Sequence, residues 1–175
     1  IQAGCKIYPD PRLPEIGYRM LGTEDSIKEF IVSNKCNEVG QGEYEKFRLS
    51  LTVPDTRDMI IEKSLLLECG FEELHGVDFS KGCYVGQEVT ARSKFRGQVR
   101  KSFYGAISDS VLPACGEKIM AGNKIIGEIR TSEGNVGLAQ LYNEEYEVAK
   151  RNNEPLTCSG GRLEISPAAW ANYSK

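Results

Sequence analysis

Histidine is almost absent. His75 is the only one in 175 residues, so a multi-histidine metal site is excluded, and a Ser-His-Asp triad would have to use that one residue. No stretch approaches the roughly 18 consecutive apolar residues of a membrane span, so no membrane partner is expected. No C-x-x-C pair occurs either. The six cysteines stand at positions 5, 36, 69, 83, 115 and 158, too irregularly spaced for a zinc ribbon or a thioredoxin-type site. Three disulfides are arithmetically allowed, but a chain without a secretory signal more often keeps its thiols reduced. An initiating Met is also missing. The Ile1-Gln2 opening suggests an internal fragment or a processed product.

The composition is that of a soluble globular protein, with 40% hydrophobic and 27% charged residues. The length suits one domain or two small ones. Formal net charge is −3, unevenly spread. From Lys81 to Lys101 the bases Lys81, Arg92, Lys94, Arg96, Arg100 and Lys101 face one acid, Glu88. Such a stripe on an acidic chain suggests an anionic ligand or partner, or simply a solvated face.

Residues 5–22 hold Pro9, Pro11 and Pro14 and read as extended chain or loop. Thr23 then predicts a helix N-cap, with Glu24 and Asp25 in the first turn and Ile27, Phe30 and Ile31 on the apolar face. A second helix is expected from Glu43 to Leu51, with Tyr44, Phe47, Arg48 and Leu51 on one face and Pro54 ending it. Residues 55–80 support no assignment. From about Arg100 the texture changes to short strands at 103–107, 118–120, 124–129, 136–141, 156–158 and 162–165, with Ala121-Gly122-Asn123 as a hairpin turn. This pattern predicts a small antiparallel barrel or sandwich.

The most informative segment is Lys81-Gly82-Cys83-Tyr84-Val85-Gly86-Gln87-Glu88. Two glycines near Cys83 permit backbone shapes closed to other residues. The Lys81 cation two residues earlier would favour the thiolate. Cys83 is therefore a candidate reactive thiol. The competing reading is an inert cysteine in a turn.

This segment, extended through Ala91-Arg92 to Arg96-Gly97, resembles the signature of the YgfZ-type folate-binding proteins of iron–sulfur cluster assembly and repair, relatives of the glycine-cleavage T-protein, an aminomethyltransferase. Weaker matches are Asp10-Pro11-Arg12-Leu13-Pro14 with Gly17-Tyr18-Arg19, Arg48 to Pro54, Leu67-Glu68 and Gly76-Val77-Asp78-Phe79. The resemblance implies an α+β chain. Residues 1–97 would be the C-terminal part of a GcvT/YgfZ-like folate-binding domain, and residues 98–175 a small antiparallel β-barrel. The matches begin partway through the family pattern, so a longer protein is expected. Three departures stand out. Leu51-Thr52 occupy a place where glycine is common, Leu66 replaces a proline, and Gly70 replaces an asparagine.

The resemblance marks Cys83 as the functional thiol, with Lys81, Gly82, Tyr84, Gly86, Gln87 and Glu88 shaping its loop. It places Glu68 where T-protein relatives recognise the pterin. A carboxylate suits that ring's adjacent amino and N–H donors, though a surface acid is an equal reading. Tyr44 falls where relatives carry a folate-associated Trp, but its helix face argues for core packing. Arg92 suits either a folate carboxylate or a structural salt bridge. No residue is assigned to a metal.

Three functions follow as expectations. The first is folate-dependent assembly or repair of iron–sulfur enzymes. Tetrahydrofolate would be the cofactor, the partners would be assembly proteins or client enzymes, and any cluster would be transient, because one cysteine cannot hold a four-thiolate cluster. The second is a tetrahydrofolate-dependent aminomethyltransferase. The third is a tRNA-modification accessory protein. The expected compartment is a bacterial cytoplasm, with the mitochondrial matrix as the alternative.

Overall fold

The computed structural model describes residues 4–82, 85–159 and 161–173. Its C-terminal half is a closed six-stranded antiparallel barrel. In chain order the strands are β3 (Lys101–Ser108), β4 (Lys118–Ala121), β5 (Lys124–Glu133), β6 (Val136–Tyr142), β7 (Leu156–Cys158) and β8 (Gly161–Pro167), and around the barrel they run β3-β6-β5-β4-β7-β8. All six expected strands are present, most of them longer by a residue or more. Two hairpins close through Gly-Asn loops, with Gly122 at φ +53° and Gly134 at φ +63°. A leading glycine at positive φ matches the right-handed twist of the flanking strands.

Inside the barrel pack Tyr104, Ala106, Ile119, Ile126, Ile129, Ala139 and Leu141. A helix over Asn143–Arg151, α4, was not expected from the sequence. It contributes Tyr146 and Ala149 to that core. Its apolar signal is thin, but Glu144 and Glu145 open it and Lys150 and Arg151 close it, as the helix dipole favours.

β3 and β6 are buried on both faces. Tyr104 and Ala139 point inward, while their neighbours Phe103 and Leu138 join Leu49 and Cys69 in a second cluster outside the barrel. That cluster seats α2 (Gln41–Ser50) and the turns of residues 59–71 on the barrel wall.

The N-terminal half differs from expectation in two places. Residues 5–22 are a hairpin, not loose extended chain: β1 (Cys5–Pro9) pairs antiparallel with β2 (Tyr18–Gly22). Buried Asp10 holds its tip, accepting from the Arg12 side chain at 3.0 Å and from Arg19 Nε at 2.7 Å. Those ion pairs outweigh the effect of burial and keep its carboxyl far below the usual range. The helix expected after Thr23 is α1 (Glu24–Ser33), with Thr23 as its N-cap.

The second difference concerns α2. Its buried residues are Glu45, Arg48 and Leu49, whereas Tyr44 and Phe47 are exposed, so core packing of Tyr44 is not what the fold uses. The helix stops four residues before Pro54, in a left-handed turn at Thr52 (φ +56°) where Thr52 N–H bonds Leu49 O and Val53 N–H bonds Arg48 O. That pairing is a Schellman stop, normally made by glycine. Here a β-branched residue holds the strained position.

Arg48, 1% exposed, binds Glu45 at 2.7 Å, Asp58 at 2.7 Å and Val53 O at 2.6 Å. Asp58 also accepts from Asp55 N–H and from Thr131 on β5. Removing one partner of a buried ion pair typically costs about 3–5 kcal/mol. We therefore expect Asp58→Ala to destabilise the protein by that amount in urea unfolding. A loss under about 1 kcal/mol would show that the network does not anchor α2.

Candidate functional site

A cavity of about 300 Å³ lies between the 67–73 turns, the second half of α3 (Glu88–Arg96), the start of β3 and the tail at residues 170–173. Glu68, Lys94, Phe103, Trp170 and Tyr173 line it. Its size is at the low end for small-molecule sites.

Glu68 is half-buried on the cavity wall. Burial raises its pKa above the ordinary glutamate value, opposed by the charge and backbone N–H of Lys101 and by Arg100. A carboxylate short of full solvation, with positive charge nearby, is suited to accept hydrogen bonds from a ligand donor edge. Next to it, Cys69 is fully buried and its thiol is pushed up to about 12, chiefly by burial and then by Glu68. Cys69 is therefore an inert thiol. Among the described residues Cys5, Cys36, Cys69, Cys115 and Cys158 are all unbridged.

A smaller cavity of about 150 Å³ lies along α3, lined by Val77, Phe79, Gly82, Gln87, Thr90 and Phe95 among others. Gly82 and Gly86 sit at φ +91° and +90° with open space where a Cβ would stand, so these positions need glycine for backbone shape and not for room. Cys83 and Tyr84 lie outside the described residues. Gln87 caps α3, and Glu88 begins it.

The two cavities share α3 as a wall. Lys94 holds the Glu72 carboxylate, at 2.6 Å to Oε2, and stands 5.4 Å from the ring centroid of Phe79, which meets Phe95 edge-on. The fold thus brings Glu68 and Lys94 to one cavity, and Gly82, Gln87 and Phe79 to the other. It does not bring Tyr44 or Arg92 to either cavity. Tyr44 accepts a 3.4 Å hydrogen bond from Arg12, and Arg92 pairs with Glu88 on the exposed face of α3. Lys81 is exposed. Sequence reasoning missed Trp170, Tyr173 and Phe103, which come to the cavity from the barrel and its tail. The isolation of a single tryptophan near the C-terminus was the available signal.

If Glu68 serves a ligand and not the fold, neutralising it removes an unfavourable desolvation. We expect Glu68→Gln to leave the melting temperature unchanged or raised at pH 7. A clear drop would make Glu68 a structural residue.

Residues 98–173 match the family model described as CAF17, C-terminal beta-barrel domain. The chain is 33% identical over 149 residues to the human protein named iron–sulfur cluster assembly factor IBA57, mitochondrial, covering 82% of this chain and 41% of that protein. The mouse protein of the same name is 32% identical over 151 residues. A Neurospora crassa homolog of that name is 38% identical over 98 residues, 55% of this chain and 22% of its own length. The chain thus spans about two fifths of the length of the mammalian relatives. The segment that matches the CAF17 C-terminal model is the closed six-stranded barrel, and most of the chain is similar to proteins named as mitochondrial iron–sulfur cluster assembly factors.

Proposed function

We propose that this chain works in iron–sulfur cluster assembly in the mitochondrial matrix, as part of a tetrahydrofolate-binding protein whose functional thiol is Cys83. The observation that carries the reading is the similarity over 82% of the chain to proteins named for that role and named as mitochondrial. Assembly proteins or client enzymes are the partners.

Support for folate comes from the Glu68 cavity. It offers the Glu68 carboxylate to accept from a pterin amino and ring N–H, Glu72 being held by Lys94, with Phe103, Trp170 and Tyr173 supplying aromatic surface. Tetrahydrofolate would bring one-carbon chemistry or a reducing pterin to the site. Glu68 would fix the ring, and α3 would relate that ring to the loop carrying Cys83. Arg92 and Tyr44, bonded to Glu88 and Arg12, line neither cavity, and the reading does not rest on them.

Two outcomes test this. In cells lacking the full-length protein, Cys83→Ser is expected to fail to restore iron–sulfur enzyme activity while accumulating normally and binding tetrahydrofolate with unchanged affinity; full rescue would refute the thiol. Folate recognition needs Glu68 ionised, and its pKa is raised. Affinity should therefore hold at neutral pH and fall on acidification, beginning at a higher pH than an ordinary glutamate would give. In Glu68→Gln that step should vanish. A pH profile identical in the two proteins would exclude Glu68 from binding.

A further inference from the structure

Past β8 the chain crosses to the N-terminal half. Trp170, the single tryptophan in the sequence, donates its Nε1–H to Leu51 O at 3.0 Å. The far edge of its indole lies against Gly70, where a Cβ would stand 2.5 Å from both Cη2 and Cζ3. Gly70 is also at φ +71°, so it is required both for room and for backbone shape. Tyr173 fastens the end of the tail. Its hydroxyl accepts from Ala168 N–H and donates to Phe103 O, both at 2.7 Å, and its ring stacks on Tyr104 at 4.7 Å.

The indole is therefore pinned at two opposite edges, yet it is only half-buried and lines the cavity that holds Glu68. A rigid aromatic plane in one cavity with the half-buried Glu68 carboxylate is a combination that recognises a flat ring carrying adjacent N–H donors; of the two further carboxylates in the lining, Glu72 and Glu73, the first is held by Lys94. The plane takes the face and the carboxylate takes the edge.

We propose that Trp170 is a specificity residue of the Glu68 cavity, stacking on the ligand's ring, and that Gly70 is the positioning residue that lets the indole lie there. This rests on the folate reading, a pterin being such a ring. Guanine presents the same amino and N–H edge, so the recognition chemistry is shared by two ligand classes, and the test must separate them.

The experiment is calorimetric titration of the full-length protein with 5-formyl-tetrahydrofolate and, separately, with guanosine. Loss of an aromatic stacking partner generally weakens binding by about 5- to 100-fold. Trp170→Leu, which keeps apolar bulk but no ring, should weaken folate binding to that extent. Trp170→Phe should stay within a few-fold of wild type. Gly70→Ala removes no polar side chain but displaces the indole and strains the turn, and should resemble Trp170→Leu. Thermal melts identify any variant that fails to fold, and the Leu and Phe pair carries the test if Gly70→Ala does fail. Folate binding that is unchanged in Trp170→Leu would overturn the role of Trp170 and leave the folate reading standing. Guanosine binding that depends on Trp170, with no folate binding, would refute the folate reading and support the stacking role. Binding of neither probe to the wild-type protein would overturn both.

Discussion

The Arg48 network is the constraint on which the N-terminal half depends. A guanidinium taken fully out of water is tolerable only if its donors are matched, and here Glu45, Asp58 and the carbonyl of Val53 match them. Burial alone would make Arg48 easier to deprotonate, but the two carboxylates more than reverse that. Asp58 reaches the barrel through Thr131, and Arg130 returns a bond to the Asp58 carbonyl at 2.9 Å. One knot of charges thus orients α2, forces the chain through its strained turn at Thr52, and fixes where the segment bearing Glu68 leaves for the cavity.

The barrel was legible because its strands are short apolar runs bounded by turn residues, with glycine in the hairpin turns. The elements that were misread share a cause. In α2 two of the three buried positions, Glu45 and Arg48, are charged, so the face expected from Tyr44, Phe47, Arg48 and Leu51 includes Arg48 correctly but is turned away from Glu45 and Leu49. The β1–β2 hairpin was hidden by its prolines, of which Pro9 forms the last pair of the ladder, opposite Tyr18, and Pro11 and Pro14 lie in the tip. The stop of α2 lacks the expected glycine because Thr52 takes the left-handed position instead.

Of the candidate site, local requirements could be read and long-range ones could not. Gly82 and Gly86 announced unusual backbone, and both have it. Glu68 was singled out, and it does line a cavity. Trp170 was invisible in that context because 119 residues separate it from Leu51. The basic stripe also changes meaning. Lys94 pairs with Glu72, Arg92 pairs with Glu88, and Lys101 lies 4.6 Å from the ring of Tyr142, so three of the stripe's bases have partners within the molecule.

The double burial of β3 and β6 has a dynamic consequence. A strand with one wet face can loosen by letting solvent in from outside. β3 and β6 have protein on both sides, the barrel core on one and the Leu49–Cys69 cluster on the other. Their amides can exchange with solvent only when α2 lifts away or the whole barrel opens. They form the slowest-breathing partition of the molecule, and the Glu68 cavity is built against its edge. The ligand wall at Ser102 and Phe103 therefore belongs to that doubly covered partition, and the tail is tied to it through the Tyr173 hydroxyl on Phe103 O.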